Sequence, residues 1–475
     1  MKEKCGVFGI YSHNGINVTP MVVMGLQALQ HRGQESWGVA IKHHVPLRKM
    51  GLVSQGSREI ARRKNMKGQS GIGHVRYSTL GASMLDNAHP IPIGNRFSIA
   101  HNGTIINTDY LQKKISGEFA IPKSVTDTKL VGLMILQELK KGRDWFQAFE
   151  NVSKEIVGAY AFTFIDNKGD IYGARDPAGF RPLCIGWHEP SASHVISSES
   201  CALSAIGAKL VRDVKPGEIV MLGKRDIESH SFADGTKVAH CAFEYTYFAH
   251  PSSKIDGINV YDSRKRIGRI LGKTYPMKGD VIIPVPDSAR PAALGYSEET
   301  GIAFEEGLIK DRYRQKGSMR SFIEPSSKRR ENIIKQIIPI PSTIEGKDVI
   351  VVDDSIVRGA SATIITKLLK RAGAKKIRMA LTFPPIAYPC YMGIDFPTQE
   401  ELLAYMASDV DRNITKVRKE VARKIRVDEL RYNDVKALGE GIGIPLNKIC
   451  ASCVTGDYSP LGIKPKFKTR NEMKS

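Results

Sequence analysis

The chain has 475 residues, of which 41% are hydrophobic, and a formal net charge of +21 from 70 basic and 49 acidic side chains. Its length predicts two to three domains at roughly 150 residues each, and no apolar run approaches the ~18 residues that a membrane-spanning helix requires. The N-terminus, MKEKCGVFGIYSHNG, has no sustained apolar stretch of the secretory kind, so a cytoplasmic protein is expected.

In the first half, short β-type runs separated by turns dominate: CGVFGIYS, SWGVAIK, GIGHVRYS, FSIAHNG, AYAFTFIDNKGDIYGARD, HVISSES and EIVMLG. DNKGD reads as a hairpin turn between two of them. Helical periodicity interrupts the runs around MVVMGLQALQHRG and KLVGLMILQELKK. The mixture predicts stacked antiparallel sheets with helices outside. The polar stretch KRDIESHSFADGTK places a domain boundary near residues 225–245. Beyond it, strand and helix alternate. GDVIIPVPDSAR is a strand and loop, 291–299 a helix, KDVIVVDDS a strand, TIITKLLKRAGA a helix and KKIRMALTF a strand. This alternation predicts a parallel sheet. Residues 399–445 read as a polar helical region, and GIKPKFKTRNEMKS as a solvated basic end. The densest basic cluster, IKDRYRQKGSMRSFIEPSSKRRENIIK at 309–335, is poor in aromatics. It suits a small polyanion as well as a polymer, so nucleic acid is not the expected ligand.

Several groups carry candidate chemistry. VIVVDDSIVRGAS (349–361) is an apolar strand that ends in Asp353 and Asp354, followed by a loop and a helix start. Carboxylates there accept from ribose hydroxyls, and helix-start amides cradle a phosphate. Cys5 stands directly before GVFGI. A thiol in that place is a small buried hydrophobe, or, if residues 1–4 are removed, a nucleophile whose own α-amino group is its base. HRGQES, GHVRYST and HNG are polar islands that could complete such a site. Arg76 can fork onto a carboxylate. Asn102 and Gly103 offer donors for an oxyanion, and Asp127 can bind an ammonium. Seven cysteines, an odd number and scattered, argue against a disulfide framework. Cys450 and Cys453 form a CxxC, and Cys241 and Cys390 supply two more thiols. Four thiolates suit a structural zinc or a [4Fe–4S] cluster, and spacing alone does not choose.

CGVFGI, HRGQES, GHVRYST, HNG and SSESCAL occur in the order found in class II glutamine amidotransferases with an N-terminal nucleophile. With CAFEYTYFAHPSS, VPDSA, the Arg-rich 312–330 stretch and VVDDSIVRG, residues 5–460 resemble the amidophosphoribosyltransferase family throughout. The resemblance implies a mixed α/β and α+β chain. A propeptide at 1–4 precedes an αββα glutaminase domain at 5–235. A phosphoribosyltransferase-type α/β domain with a parallel sheet and a helical C-terminal region follows at 236–460, then a basic tail at 461–475. It implies glutamine-dependent synthesis of 5-phosphoribosylamine, glutamate and diphosphate from phosphoribosyl diphosphate, glutamine and water, the first step of purine synthesis. Cys5 is then the nucleophile, and Arg76, Asn102, Gly103 and Asp127 bind glutamine. Ser288, Asp353, Asp354, Ser355, Arg358 and Gly359 bind phosphoribosyl diphosphate, the first three also meeting its Mg²⁺.

One branch of the family holds a [4Fe–4S] cluster through cysteines in the contexts CxFEY, PC(x)GID and CxxC. CAFEY, PCYMGID and CASC match them. Cys241, Cys390, Cys450 and Cys453 become the expected ligands, and Cys184 and Cys201 revert to buried apolar residues. Homo-oligomers and inhibition by purine nucleotides are also implied. The chain departs from the family pattern at Lys129, Ala289, Arg290 and Ser327, none of which removes a group with an assigned role; Arg290 could aid diphosphate binding. Two other classes compete. A hexosamine-synthase-type enzyme shares the first motifs but not VVDDSIVRG. A non-catalytic or nucleic-acid-binding relative is opposed by Cys5 and the acid pair.

Overall fold

The computed structural model describes residues 5–62, 66–77, 84–119, 125–233, 237–311, 337–394, 396, 398–408 and 413–463. The proposed propeptide, the Arg-rich 312–330 stretch with Ser327, and nearly all of the basic tail lie outside the described residues. The chain forms two compact units. One is Met1–His240 with Ser252–Gly257 and Tyr391–Asp395; the other is Cys241–Pro251, Ile258–Cys390 and Phe396–Ser475.

The first unit runs β1 (Gly6–Ser12), α1 (Thr19–Ala28), β2 (Ser36–Ile41), β3 (Leu47–Met50), α2 (Val53–Arg62), β4 (Ser70–Arg76), β5 (Ile91–Ile93), β6 (Phe97–Ile105), α3 (Thr108–Ile115), α4 (Asp127–Lys140), α5 (Trp145–Ser153), β7 (Gly158–Asp166), β8 (Ile171–Arg175), β9 (Cys184–His188), β10 (Ser193–Ser197), α6 (Ser200–Ala205), β11 (Lys209–Asp213), β12 (Glu218–Gly223) and β13 (Asp226–Ser231). A seven-stranded sheet has the order β11-β9-β10-β1-β4-β2-β3, and a six-stranded sheet the order β13-β12-β8-β7-β6-β5. Alternation along β1 explains the layering. Val7 and Tyr11 join Ala161, Ile165 and Val220 in the core between the sheets. Phe8 and Ile10 point the other way, onto Val22 and Leu26 of α1. On the far face of the second sheet, Ile99, Phe162 and Phe164 meet Leu130, Met134 and Phe149 of α4 and α5. The four layers are therefore helix, sheet, sheet, helix. Each fully buried large apolar side chain contributes about 2 kcal/mol, so β1, buried at every position, is held in place from both faces.

In the second unit, strands Val281–Pro284, Asp348–Asp353, Lys376–Leu381 and Glu429–Tyr432 lie side by side in that order, all parallel. Both faces are covered. Ile282, Ile350 and Val352 pack with Ala292, Ala293 and Tyr296 on one side. Val349 and Val351 pack with Ile365, Leu369, Val421 and Ile425 on the other. Burial on both sides is why VIVV shows no alternation.

One expectation needs correction. Residues 399–445 are not helical throughout: Glu429–Tyr432 is the fourth parallel strand, and its ELRY sequence alternates charge with apolar side chains because it closes the sheet edge. Within the polar stretch before the boundary, DIESHS forms β13, an edge strand paired with β12. None of its side chains is buried, which gives it the composition of a loop.

Candidate functional site

In the first unit, Cys5 is the residue before the central strand β1, and the β1–β4 ladder pairs Gly6 with Val75. That register sets Cys5 beside Arg76, the last residue of β4. The Cys5 thiol faces the Tyr77 carbonyl at 3.7 Å. Arg76 is buried, and among the described residues its guanidinium has no acidic partner. One residue pair ties this end of β4 to the other sheet: His74 Nε2 contacts the His101 carbonyl at 2.9 Å. Burial pushes His74 down to about 3, so it makes this bond as a neutral donor. The next residues of β6 are Asn102 and Gly103. Asn102 is buried, and its side-chain amide nitrogen has no hydrogen-bond partner among the described residues. A buried donor without an acceptor is costly, and a substrate oxyanion would satisfy it. Asp127 heads α4, with Thr126 as its N-cap. Its Oδ2 accepts from the Ile105 amide at 3.1 Å and its Oδ1 from the Thr128 amide at 2.7 Å. Lys129, the departure nearby, turns its ammonium to the Pro92 carbonyl at 3.1 Å.

Gly103 cannot be replaced. Its φ is +146°, and a Cβ there would lie 2.0 Å from the Ala159 carbonyl oxygen across the β6–β7 ladder. Gly103→Ala should therefore cost about 3 kcal/mol or more, read as a drop in the denaturation midpoint of the whole chain. An unchanged midpoint would show that the ladder relaxes around the methyl group.

Sequence reasoning singled out HRGQES and SSESCAL without assigning a role inside them. The structure joins them. Arg32 Nε donates to the Cys5 carbonyl at 2.9 Å, and Arg32 Nη1 donates to Glu199. Both side chains are fully buried. Cys184 and Cys201 lie in the apolar core, as expected, and burial raises both thiols.

In the second unit the carboxyl ends of two adjacent parallel strands bring the other candidates together. Pro284 pairs with Val352, and the Val285 amide donates to the Val352 carbonyl at 2.9 Å. The turn with Ser288 and the loop with Asp353 and Asp354 therefore leave the same edge, where parallel sheets bind ligands. Asp353, Asp354 and Ser355 are all buried. Asp354 N donates to Asp353 Oδ1 and Ser355 N to Asp354 Oδ1, both at 2.8 Å. Burial and the neighbouring Asp354 charge push the Asp353 carboxyl well above its usual range. The Ser355 hydroxyl is buried without a partner among the described residues. Gly359, with φ +77°, caps the helix Ala360–Arg371, and a Cβ there would sit 2.5 Å from Leu403 Cδ2. The helix thus opens its first-turn amides to a phosphate. Arg358 is held by Glu401 at 2.7 Å, and Arg290 by Glu306 at 3.1 Å and Asp287 at 3.3 Å.

The four expected cluster cysteines also meet. Strand His240–Cys241 pairs with strand Ile449–Cys450. The Cys453 carbonyl accepts from the Ala387 and Tyr388 amides at 3.1 and 3.0 Å, which brings the chain up to Cys390. Burial, and then the nearby Cys390, Cys450 and Cys241 sulfurs, raise the Cys453 thiol well above its usual value. Burial raises the Cys450 thiol as well, so these two groups favour the protonated form when alone. A bound cation reverses that preference, and thiols are the donor type of an iron–sulfur cluster or of zinc.

Two family models match the chain, a glutamine amidotransferase domain over residues 74–205 and a phosphoribosyl transferase domain over residues 259–390. An amidophosphoribosyltransferase from Methanocaldococcus jannaschii is 40% identical over 96% of this chain and 97% of its own length. One from Synechococcus elongatus is 38% identical over 98% and 93%. The structure of glutamine phosphoribosylpyrophosphate amidotransferase from B. subtilis, complexed with ADP and GMP, superposes with a TM-score of 0.83 at 35% identity and covers 96% of this chain and 97% of that one. Fold, motif order and near-complete alignment agree, and the chain belongs to the amidophosphoribosyltransferase family.

Proposed function

We propose that the two units divide one reaction: the first releases ammonia from glutamine, and the second joins it to phosphoribosyl diphosphate. The chain is an amidophosphoribosyltransferase, making 5-phosphoribosylamine at the start of purine synthesis. The observation that carries the division is Cys5 at the head of β1, one ladder step from the buried Arg76.

In this reading, Arg76 binds the glutamine α-carboxylate and Asp127 its ammonium, which aims the side-chain amide at Cys5. Once residues 1–4 are removed, the Cys5 α-amino group takes the thiol proton. The sulfur attacks the amide carbon, and charge collects on an oxygen that Asn102 and Gly103 meet with N–H donors. Collapse expels ammonia, carrying the proton, and leaves a thioester. Water then releases glutamate. In the second unit, Ser355, Arg358, Gly359 and the helix-start amides hold the 5-phosphate, and Asp353 and Asp354 orient the ribose. Mg²⁺, held at Ser288, Asp353 and Asp354, would neutralise charge on the departing diphosphate. Basic side chains of 312–330 would neutralise charge on it as well. Ammonia attacks C1 as the C1–oxygen bond breaks. Amide-¹⁵N glutamine tests the whole scheme: the label should appear in phosphoribosylamine, with one glutamate and one diphosphate released per turnover. Diphosphate release with no label in the product would defeat it.

The same reading gives Cys241, Cys390, Cys450 and Cys453 a [4Fe–4S] cluster. These ligands span long stretches of sequence, so a cluster closes large loops and acts on stability. Protein purified without oxygen should be brown and hold about four iron and four sulfide per chain. A colourless protein with one tightly bound zinc would keep the four-thiol site and reject the cluster. Domain limits at 5–235 and 236–460, a cytoplasmic location and a homo-oligomer belong to this reading too. Inhibition by purine nucleotides is supported by the ADP and GMP of the B. subtilis complex.

A further inference from the structure

Beside the proposed nucleophile lies a carboxylate with no surface of its own. Glu199 follows β10 and stands at the N-terminus of α6. Its Oε1 accepts from Arg32 Nη1 and from His31 Nε2, the latter at 2.9 Å. Its Oε2 accepts from Ser253 Oγ at 2.6 Å and faces the Cys201 thiol at 3.8 Å. Arg32, equally enclosed, donates through Nε to the Cys5 carbonyl. Burial opposes the Glu199 charge, yet His31 and Arg32 outweigh it and hold the group well below the carboxylate range.

A buried ion pair is a weak source of stability, because desolvation offsets most of the attraction. What it does supply is a single geometry. Both Glu199 oxygens are engaged, and the guanidinium it holds has its own Nε committed to Cys5. A cation shared by His31, Glu199 and Cys201, whose ligand atoms lie within 4.8 Å of one another, is opposed by the Arg32 charge on the same oxygen. We propose that Glu199 is a positioning residue for glutamine cleavage, fixing the Cys5 main chain through Arg32 and, with it, the direction of the thiol and of the α-amino group. Ser253 completes the strut from the segment Ser252–Gly257. The inference rests on Cys5 as the nucleophile.

The test uses the full-length enzyme as isolated and three variants. Glu199→Gln keeps the shape and removes the charge. Its glutamine-dependent kcat should fall about 10- to 100-fold, the range for misplacing a reacting group by a fraction of an ångström to an ångström. KM for glutamine should change little, because Arg76 and Asp127 are untouched, and ammonia-dependent synthesis should persist. Iodoacetamide should also alkylate Cys5 at an altered rate, read by mass spectrometry. An unchanged kcat, or a fall matched by the ammonia-dependent rate, overturns the proposal. If Glu199→Gln does not fold, Ser253→Ala decides: a glutamine-specific loss in kcat supports the strut, and none overturns it. Cys5→Ala separates the two levels. If it retains glutamine-dependent activity, the nucleophile assignment fails; if it loses that activity while Glu199→Gln does not, only this inference fails.

Discussion

Cys5→Ala should abolish glutamine-dependent synthesis, by about four orders of magnitude or more, and leave ammonia-dependent synthesis in place. The asymmetry follows from the division of labour. The thiol lies at the head of β1 in the first unit, whereas the phosphoribosyl candidates sit on the parallel sheet of the second. Removing one sulfur atom from a partly exposed position should scarcely disturb a strand that is buried along its length. Free ammonia then bypasses the missing step. Two nitrogen sources assayed side by side, with glutamate release measured separately, give the answer. Full activity with glutamine would remove Cys5 from the mechanism. The mature N-terminus is a second check: an active protein whose intact mass still includes Met1 to Lys4 would keep the thiol but discard its amine as the base.

How much of this was legible in the sequence depends on the range of the interaction. β1, β4, β6 and the strand Asp348–Asp353 stand out because each is a local apolar run with turn residues at its ends. The helix Val260–Thr274 does not. Five of its fifteen residues are basic, yet Arg264 points inward, donating to the Tyr245 and Ala249 carbonyls at 2.8 and 2.7 Å. A buried arginine looks like a surface one in sequence. The site divides in the same way. Cys5, Arg76, Asn102, Gly103 and Asp127 sit in short motifs whose chemistry can be named from residue type. The Arg32–Glu199 pair joins positions 167 apart, brought together by the adjacency of β10 and β1 in the sheet and by α1 packing on α6. The pairing of Arg358 with Glu401 was hidden likewise, 43 positions away.

Asp354→Asn should remove phosphoribosyl transfer from glutamine and ammonia alike, because both nitrogen sources converge on that step. Asp353 and Asp354 are 7% and 4% exposed and adjacent in sequence. Two carboxylates this close and this dry disfavour each other's charge, and the raised Asp353 carboxyl expresses that cost. Ribose hydroxyl donors or Mg²⁺ relieve it, so binding gains from a strain that the ligand-free protein carries. The substitution takes away one charge, its share of that strain and its share of the ligand. Two readouts should therefore move in opposite senses. Affinity for phosphoribosyl diphosphate, measured by calorimetry with Mg²⁺ present, should fall at least tenfold, about 1.4 kcal/mol. The Tm of the ligand-free protein should hold or rise. A fall in both would mean that Asp354 supports the loop rather than the ligand, and unchanged affinity in both Asp353→Asn and Asp354→Asn would move the substrate away from this strand end.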